Sequence, residues 1–250
     1  MADRLETPQG RTLAYHRTNG IRPGIVFLGG FMSDMSGTKA VWLEDWADTQ
    51  GRAFLRFDYS GHGESSGKFE DGCIGDWAED AFQAVTQLTK GPQILVGSSM
   101  GGWIALLLAK RIPERVAGLV GVAAAPDFTE DSMWPGLTDA QRDEITRTGQ
   151  TAVPNSYDDR PHILTRRLFE DGRDQLVLRD PLRLPFPVRL VQGTMDEAVA
   201  TLVPLRLLDH ADCPDMRLTL VKGADHRFSS PACLDLIGEA IAEISALSKC

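Results

Sequence analysis

The 250-residue sequence predicts a single α/β domain, residues 1–250, with a mostly parallel sheet flanked by helices. Three observations predict it. Short apolar runs ended by glycine, such as GIVFLGG (24–30) and VAGLVGVAAAP (116–126), alternate with longer stretches of helical periodicity. These runs are continuously apolar, as strands covered by helices on both faces must be. The length also suits one domain of this class.

In chain order, GRTLAYHR alternates after the turn-like TPQG, so an antiparallel hairpin is expected at the start. GIVFLGG is the first buried strand, and TKAVWLEDWADTQG a helix closed by a glycine. AFLRFDYSG is the next strand. Residues 73–90 set Ile74, Trp77, Ala81, Val85 and Leu88 at steps of three and four, an apolar helical stripe. QILVG then leads into the helix MGGWIALLLAKRIP, and VAGLVGVAAAP is another buried strand. PVRLVQG and MRLTLVKG are two more. The last helix starts at Ser230-Pro231, with Leu234, Ile237 and Ile241 on one face. Residues 128–186 break the alternation. They hold helical fragments (TDAQRDEITRTG, PHILTRRLFEDG) and no good buried strand, so a small helical cap inserted over one edge of the sheet is expected.

With 26 Lys+Arg against 35 Asp+Glu, the net charge is −9. Nucleic-acid binding, which needs clustered positive charge, is disfavoured, as is docking on anionic lipid. No apolar run approaches the roughly 20 residues of a membrane span. The opening MADRLETPQGRTL lacks a signal-peptide core, and cytoplasmic localisation is expected. Cys73, Cys213, Cys233 and Cys250 are scattered without CxxC spacing and read as free thiols. The five histidines show no HExxH spacing, and neither a metal nor another cofactor is expected.

The motif that bears chemistry is Gly97-Ser98-Ser99-Met100-Gly101. It fits G-x-S-x-G only when centred on Ser99, because a frame centred on Ser98 meets Val96 and Met100. A strand that reverses into a helix within two residues raises the central hydroxyl above the sheet, and the flanking Gly97 and Gly101 avoid β-carbon collisions. The strand-like ILV before it and the helical GWIALLLAK after it supply that context. A serine nucleophile needs a base, and the base an orienting acid. Of His162, His210 and His226, the last follows the final strand and is the expected base. Asp196, three residues after Gly193, is the expected acid. Asp127 is its main rival, with Glu197 adjacent to the acid and Asp225 beside the histidine. An oxyanion would need two amides: Met100, after the nucleophile, and Phe31, in a loop whose turn Gly30 enables. DYSGHGESSG (58–67) is read as a shaping loop, with His62 out of order for a base. The glycine-rich stretches complete no GxxxxGK[ST] or GxGxxG motif, so no nucleotide site is assigned.

GGFMSDMSGTKA, RFDYSGHGESSG, GPQILVGSSMGGW and GADHR, in this order, resemble the α/β-hydrolase superfamily and within it the tenth α/β-hydrolase-domain-containing protein family. The resemblance runs nearly end to end and implies an α/β-hydrolase fold. It also implies a serine esterase: an acyl-protein thioesterase removing palmitoyl groups, or an esterase of acyl glucuronides. The family triad falls on Ser99, Asp196 and His226. Departures are Gln192-Gly193 where many relatives have His-Gly, Val199-Ala200 in place of Val-Pro, and a divergent cap. Animal relatives carry a mitochondrial targeting extension, so a bacterial, cytoplasmic member is expected.

The expected reaction is hydrolysis of a small-molecule or lipid-acyl ester or thioester, an acylated protein included, through an acyl-enzyme on Ser99. Met133, Trp134, Leu137 and Ile145 of the cap are expected to line an acyl pocket. Carbon–carbon bond hydrolysis, aminopeptidase action (which an acidic cap patch would favour, though FEDGRD reads as a solvated charge cluster) and a non-catalytic ligand-binding role are the alternatives on the same fold.

Overall fold

An eight-stranded sheet organises the computed structural model, which describes residues 2–154 and 161–247. In chain order the elements before the cap are β1 (Asp3–Glu6), β2 (Thr12–Thr18), β3 (Ile21–Leu28), α1 (Thr38–Thr49), β4 (Arg52–Phe57), α2 (Ile74–Leu88), β5 (Gln93–Ser98), α3 (Met100–Arg111) and β6 (Val116–Val122). The cap region holds α4 (Trp134–Gly136), α5 (Asp139–Thr148), β7 (Gln150–Val153), β8 (His162–Thr165), α6 (Arg166–Asp174) and β9 (Leu182–Arg183). Then follow β10 (Val188–Gly193), α7 (Leu202–His210), β11 (Ala211–Asp212), β12 (Met216–Val221) and α8 (Pro231–Leu247). The sheet order is β1-β2-β4-β3-β5-β6-β10-β12. The opening hairpin is antiparallel, and from β4 to β12 the neighbours run parallel. Cys250 lies outside the described residues, and Cys73, Cys213 and Cys233 are free thiols.

Burial explains why the strand runs are uniformly apolar. Every residue of β5 and of β10 is buried, because helices cover both faces of the sheet. One face packs Trp77 and Ala81 of α2 and Trp103, Ile104 and Leu108 of α3 against Val26, Leu95 and Leu119. The other packs Leu43 of α1 and Ile237, Ile241 and Ile244 of α8 against Ile25, Val96 and Val120. The stripe at three- and four-residue steps in α2 thus faces the sheet. Edge strand β12 is only partly buried.

Two features depart from the sequence reading. The cap is not purely helical: Gln150–Val153 and His162–Thr165 pair as an antiparallel ribbon, so the first part of PHILTRRLFEDG is strand and helix begins at Arg166. Thr165 marks the switch, its hydroxyl accepting from the Leu168 amide as an N-cap. A two-residue parallel bridge, β9 with β11, also joins the last part of the cap region to the segment directly after α7. At the start of the cap, Thr138 and Gln141 form a capping box, and Gly149 closes α5 in the left-handed conformation (φ 91°).

Asp127, five residues after the end of β6, ties the cap down. Its side chain is fully buried and has positive φ (58°). It accepts from the Val177 amide at 2.8 Å, the Leu178 amide at 3.0 Å and the Arg179 guanidinium at 3.0 Å. The carboxylate therefore joins the point where the chain enters the cap to the point where it returns. Burial raises its pKa, and the two amides and Arg179 only partly oppose that. Asp127→Asn turns an amide N–H toward these donors, and we expect it to cost about 1–3 kcal/mol. Urea unfolding measures that cost, while turnover per titrated active site should be unchanged.

Candidate active site

Ser99 stands between β5 and α3 with φ 53° and ψ −118°, a strained backbone for a residue with a side chain. Three backbone bonds hold it there. Its amide donates to the Val122 carbonyl at 2.9 Å, and its own carbonyl accepts from Gly102 (2.9 Å) and Ala125 (3.0 Å). The glycine frame has a steric cause. A β-carbon on Gly97 would lie 2.3 Å from the Gly101 carbonyl oxygen, and one on Gly101 would lie 2.0 Å from the Leu28 carbonyl oxygen. Ser98 is buried beside the turn, and Ser99 is half-buried.

His226 comes from the loop after β12 and Asp196 from the loop after β10. The His226 Nε2 lies 3.2 Å from Ser99 Oγ, and its Nδ1 lies 2.8 Å from Asp196 Oδ2. The carboxylate partner requires a proton on Nδ1, which leaves Nε2 to accept from the serine hydroxyl. The two loops are pressed together: a β-carbon on Gly193 would lie 2.2 Å from the Ala224 carbonyl oxygen, to which the Met195 amide donates. Asp196 is fully buried, and its Oδ1 accepts from the Ala198 and Val199 amides at 2.9 and 2.8 Å. Its Oδ2 accepts from Gln192 as well as from His226. Burial alone would raise its pKa. The bonds from His226, Val199 and Gln192 and the histidine's charge outweigh that and hold it below the ordinary carboxylate value.

The rivals lie elsewhere. Asp127 anchors the cap, Asp225 Oδ1 accepts from the Phe228 amide, and Glu197 is exposed. His210 pairs with the Asp180 carbonyl at 2.8 Å. His162 lines the cavity from β8, near the Phe31 ring.

Among the described residues, neither the Phe31 nor the Met100 amide has an acceptor. Met100 is the first residue of α3, so its N–H belongs to the open, electropositive end of that helix. In the Phe31 loop the left-handed conformation falls on Met32 (φ 55°). A β-carbon on Gly30 would meet Ser33, Ser98 and Ser99 only at ordinary contact distance. The Phe31 ring packs edge-on against Phe69, Trp77 and Phe128. His62 anchors the loop from below. It is buried, its Nε2 accepts from the Met32 amide at 3.3 Å, and its Nδ1 donates to the Ser60 carbonyl at 3.2 Å. Asp58 shapes the same segment by accepting from Met35 and Glu64, as the sequence reading of DYSGHGESSG expects.

A cavity of about 1020 Å³ opens over Ser99 and His226. Phe31, Phe128, Met133, Ala125 and Val199 give it an apolar side. Ser33, Thr38, Lys39 and Ser229 give it a polar one. Burial, with Arg227 nearby, lowers the Lys39 pKa to about 8 against the opposing pull of Asp225. Of the four cap residues expected to line an acyl pocket, only Met133 does so. Trp134 packs on Phe169, while Leu137 and Ile145 are buried in the core beneath the cap. The acidic FEDGRD stretch lies on α6, outside the cavity lining, with Asp171 holding the Gly75 amide. Sequence reasoning gave His62, Lys39 and Gln192 no part in the site. His62 was legible only as a member of its loop, and Lys39 had no local signal.

This sheet order, with a serine on the strand-to-helix turn hydrogen-bonded to a histidine and a buried aspartate, defines an α/β hydrolase. The α/β-hydrolase fold family model matches residues 23–151. The rat protein named palmitoyl-protein thioesterase ABHD10, mitochondrial, is 36% identical over 234 residues, 93% of this chain and 78% of its own. Among solved structures, a putative hydrolase from Agrobacterium vitis S4 superposes with TM-score 0.92 at 39% identity, covering 98% and 97% of the two chains. Mouse α/β hydrolase domain-containing protein 10 does so with TM-score 0.90 at 33% identity, covering 98% of each. The chain belongs to the ABHD10 family of α/β hydrolases. The curated ABHD10 relatives are named as mitochondrial and lend no support to the cytoplasmic location expected from the sequence.

Burial lowers the His62 pKa from 6.5 to about 4, against the opposing bond to Ser60, so the imidazole is neutral in the folded protein near neutral pH. Between pH 6.5 and 4 the unfolded chain binds a proton that the folded protein does not, so stability falls as pH falls through that window. The loss is on the order of 3 kcal/mol. His62→Gln should remove it, so the stability gap between wild type and variant narrows from pH 7 to pH 4. Urea unfolding across that range measures the gap, and parallel pH profiles would contradict the assignment.

Proposed function

We propose that this protein is a serine hydrolase that cleaves carboxylic esters or thioesters, with thioesters of apolar acyl groups, acylated proteins included, as its substrate class. The observation that carries the reading is the unbroken hydrogen-bond chain from Ser99 through His226 to Asp196. Ser99 Oγ attacks the acyl carbonyl carbon as its proton passes to His226 Nε2. The carbonyl oxygen becomes an oxyanion that the Phe31 and Met100 amides receive. As the tetrahedral intermediate collapses, the bond to the leaving thiol or alcohol breaks, and His226 gives its proton to that group. Water then attacks the acyl-enzyme with His226 as base, releasing the carboxylic acid and restoring Ser99. Asp196 keeps the imidazole in the required tautomer and stabilises its charged form. No step needs a metal or cofactor.

The apolar side of the cavity, formed by Phe31, Phe128, Met133, Ala125 and Val199, suits a hydrocarbon acyl chain. The name of the ABHD10 relatives, palmitoyl-protein thioesterase, supports the thioester reading.

A fluorophosphonate probe should label the wild type and leave Ser99→Ala unlabelled; labelling that persists in the variant overturns the assignment. Asp196→Asn should keep the fold and lose turnover by roughly 10⁴-fold. Across a series of p-nitrophenyl esters and acyl thioesters, kcat/KM should rise by up to about fourfold for each methylene the cavity buries. A clear preference for acetyl substrates would remove the apolar-acyl reading.

A further inference from the structure

We propose that Gln192 is a positioning residue for the Asp196–His226 pair: its carboxamide fixes the carboxylate and shares the oxygen that His226 engages. The proposal rests on the triad reading given above.

Gln192 lies on β10, four residues before the acid, and is fully buried. Its Nε2 donates to Asp196 Oδ2 at 2.8 Å and to the Val199 carbonyl at 3.0 Å. Val199 in turn donates its amide to Asp196 Oδ1 at 2.8 Å. Gln192, Asp196 and Val199 therefore close a ring of hydrogen bonds around the carboxylate, and the ring sets the plane in which Asp196 meets His226. The orientation of the amide is forced. Flipped, its oxygen would face two acceptors, the carboxylate and the Val199 carbonyl. In the orientation found, Gln192 Oε1 is buried with no partner among the described residues. A buried carbonyl oxygen left unpaired costs stability, and here it accompanies two N–H groups turned toward the acid loop.

Two donors then compete for one oxygen. Asp196 Oδ2 accepts from His226 Nδ1 and from Gln192 Nε2, each at 2.8 Å. A carboxylate with an extra donor presents less charge to the imidazole and draws the histidine's proton less strongly. Without that donor the acid is freer to rotate and its pull on His226 is stronger. The other titratable and charged groups around the pair are few. Asp225 and Arg227 flank His226 in its loop, Lys39 of α1 donates to the Arg227 carbonyl, and Glu197 adjoins the acid. None of these hydrogen-bonds the Asp196 carboxylate among the described residues.

The test compares wild type with Gln192→Met, a near-isosteric side chain that has no donor. Turnover is expressed per fluorophosphonate-titrated site, so a misfolded fraction does not enter. The expected result is a fall in kcat of about tenfold with KM within twofold, and an acid limb of the kcat/KM profile displaced to higher pH. A kcat per site within twofold of wild type and a superimposable pH profile would overturn the proposal. A second measurement uses the unaltered protein and so survives poor folding of the variant. The Gln192 side-chain amide resonances should titrate with the same midpoint as activity and shift when Ser99 is phosphonylated. Resonances that stay fixed through both changes also overturn it. The two readings fail separately. Retained labelling and turnover in Ser99→Ala would remove the triad, whereas inactive Ser99→Ala beside a silent Gln192→Met would remove only the role of Gln192.

Discussion

The contact on which the rest of the site depends is the approach of the first turn of α3 to the end of β3. A β-carbon on Gly101 would lie 2.0 Å from the Leu28 carbonyl oxygen, so only a glycine lets this helix start so close to the sheet. That approach keeps the reversal after β5 within two residues and forces Ser99 into its positive-φ conformation. The bonds from Ser99 to Val122, Gly102 and Ala125 then spread the strain over β6 and α3. The Ser99 hydroxyl and the Met100 amide are presented by one rigid turn and stay in fixed relation.

Everything else must arrive at this turn from loops, and each loop is braced from beneath. His62 receives the Met32 amide and stabilises the loop that offers the Phe31 N–H. The Gly193–Ala224 approach locks the acid loop to the histidine loop. This division of labour, a strained but rigid serine turn with partners on propped loops, places precision in backbone hydrogen bonds. Side-chain packing is left free to shape the cavity.

What was legible in the sequence follows from this arrangement. Buried parallel strands must be continuously apolar, so β3, β5, β6 and β10 declared themselves, and the glycine frame singled out Ser99. Loop order and spacing pointed to His226 and Asp196, the two side chains the structure links to Ser99. The ribbon β7–β8 and the bridge β9–β11 were not legible, because strands of two to four residues are too short to show a period and depend on distant partners. The lining of the cavity was misread for a related reason. Trp134, Leu137 and Ile145 are as apolar as Met133, and which of them faces the cavity is decided by how the cap sits on α2 and α3.

Asp127 and Asp196 show how similar the inputs to different roles are. Each follows a parallel strand, each is fully buried, and each receives two backbone amides. The remaining donors separate them: Arg179 for Asp127, His226 and Gln192 for Asp196. Asp127 meets Arg179, whose charge is permanent, so its carboxylate is committed to a fixed ion pair and can serve only as an anchor. Asp196 meets an imidazole, whose charge is variable. Its bonds hold it below the ordinary carboxylate value while those of Asp127 leave that residue above it. An acid that stays ionised beside a partner of variable charge can stabilise a transient cation. The identity of the partner across from each carboxylate, which chain order alone does not reveal, separates the aspartate that anchors the cap from the one that meets His226.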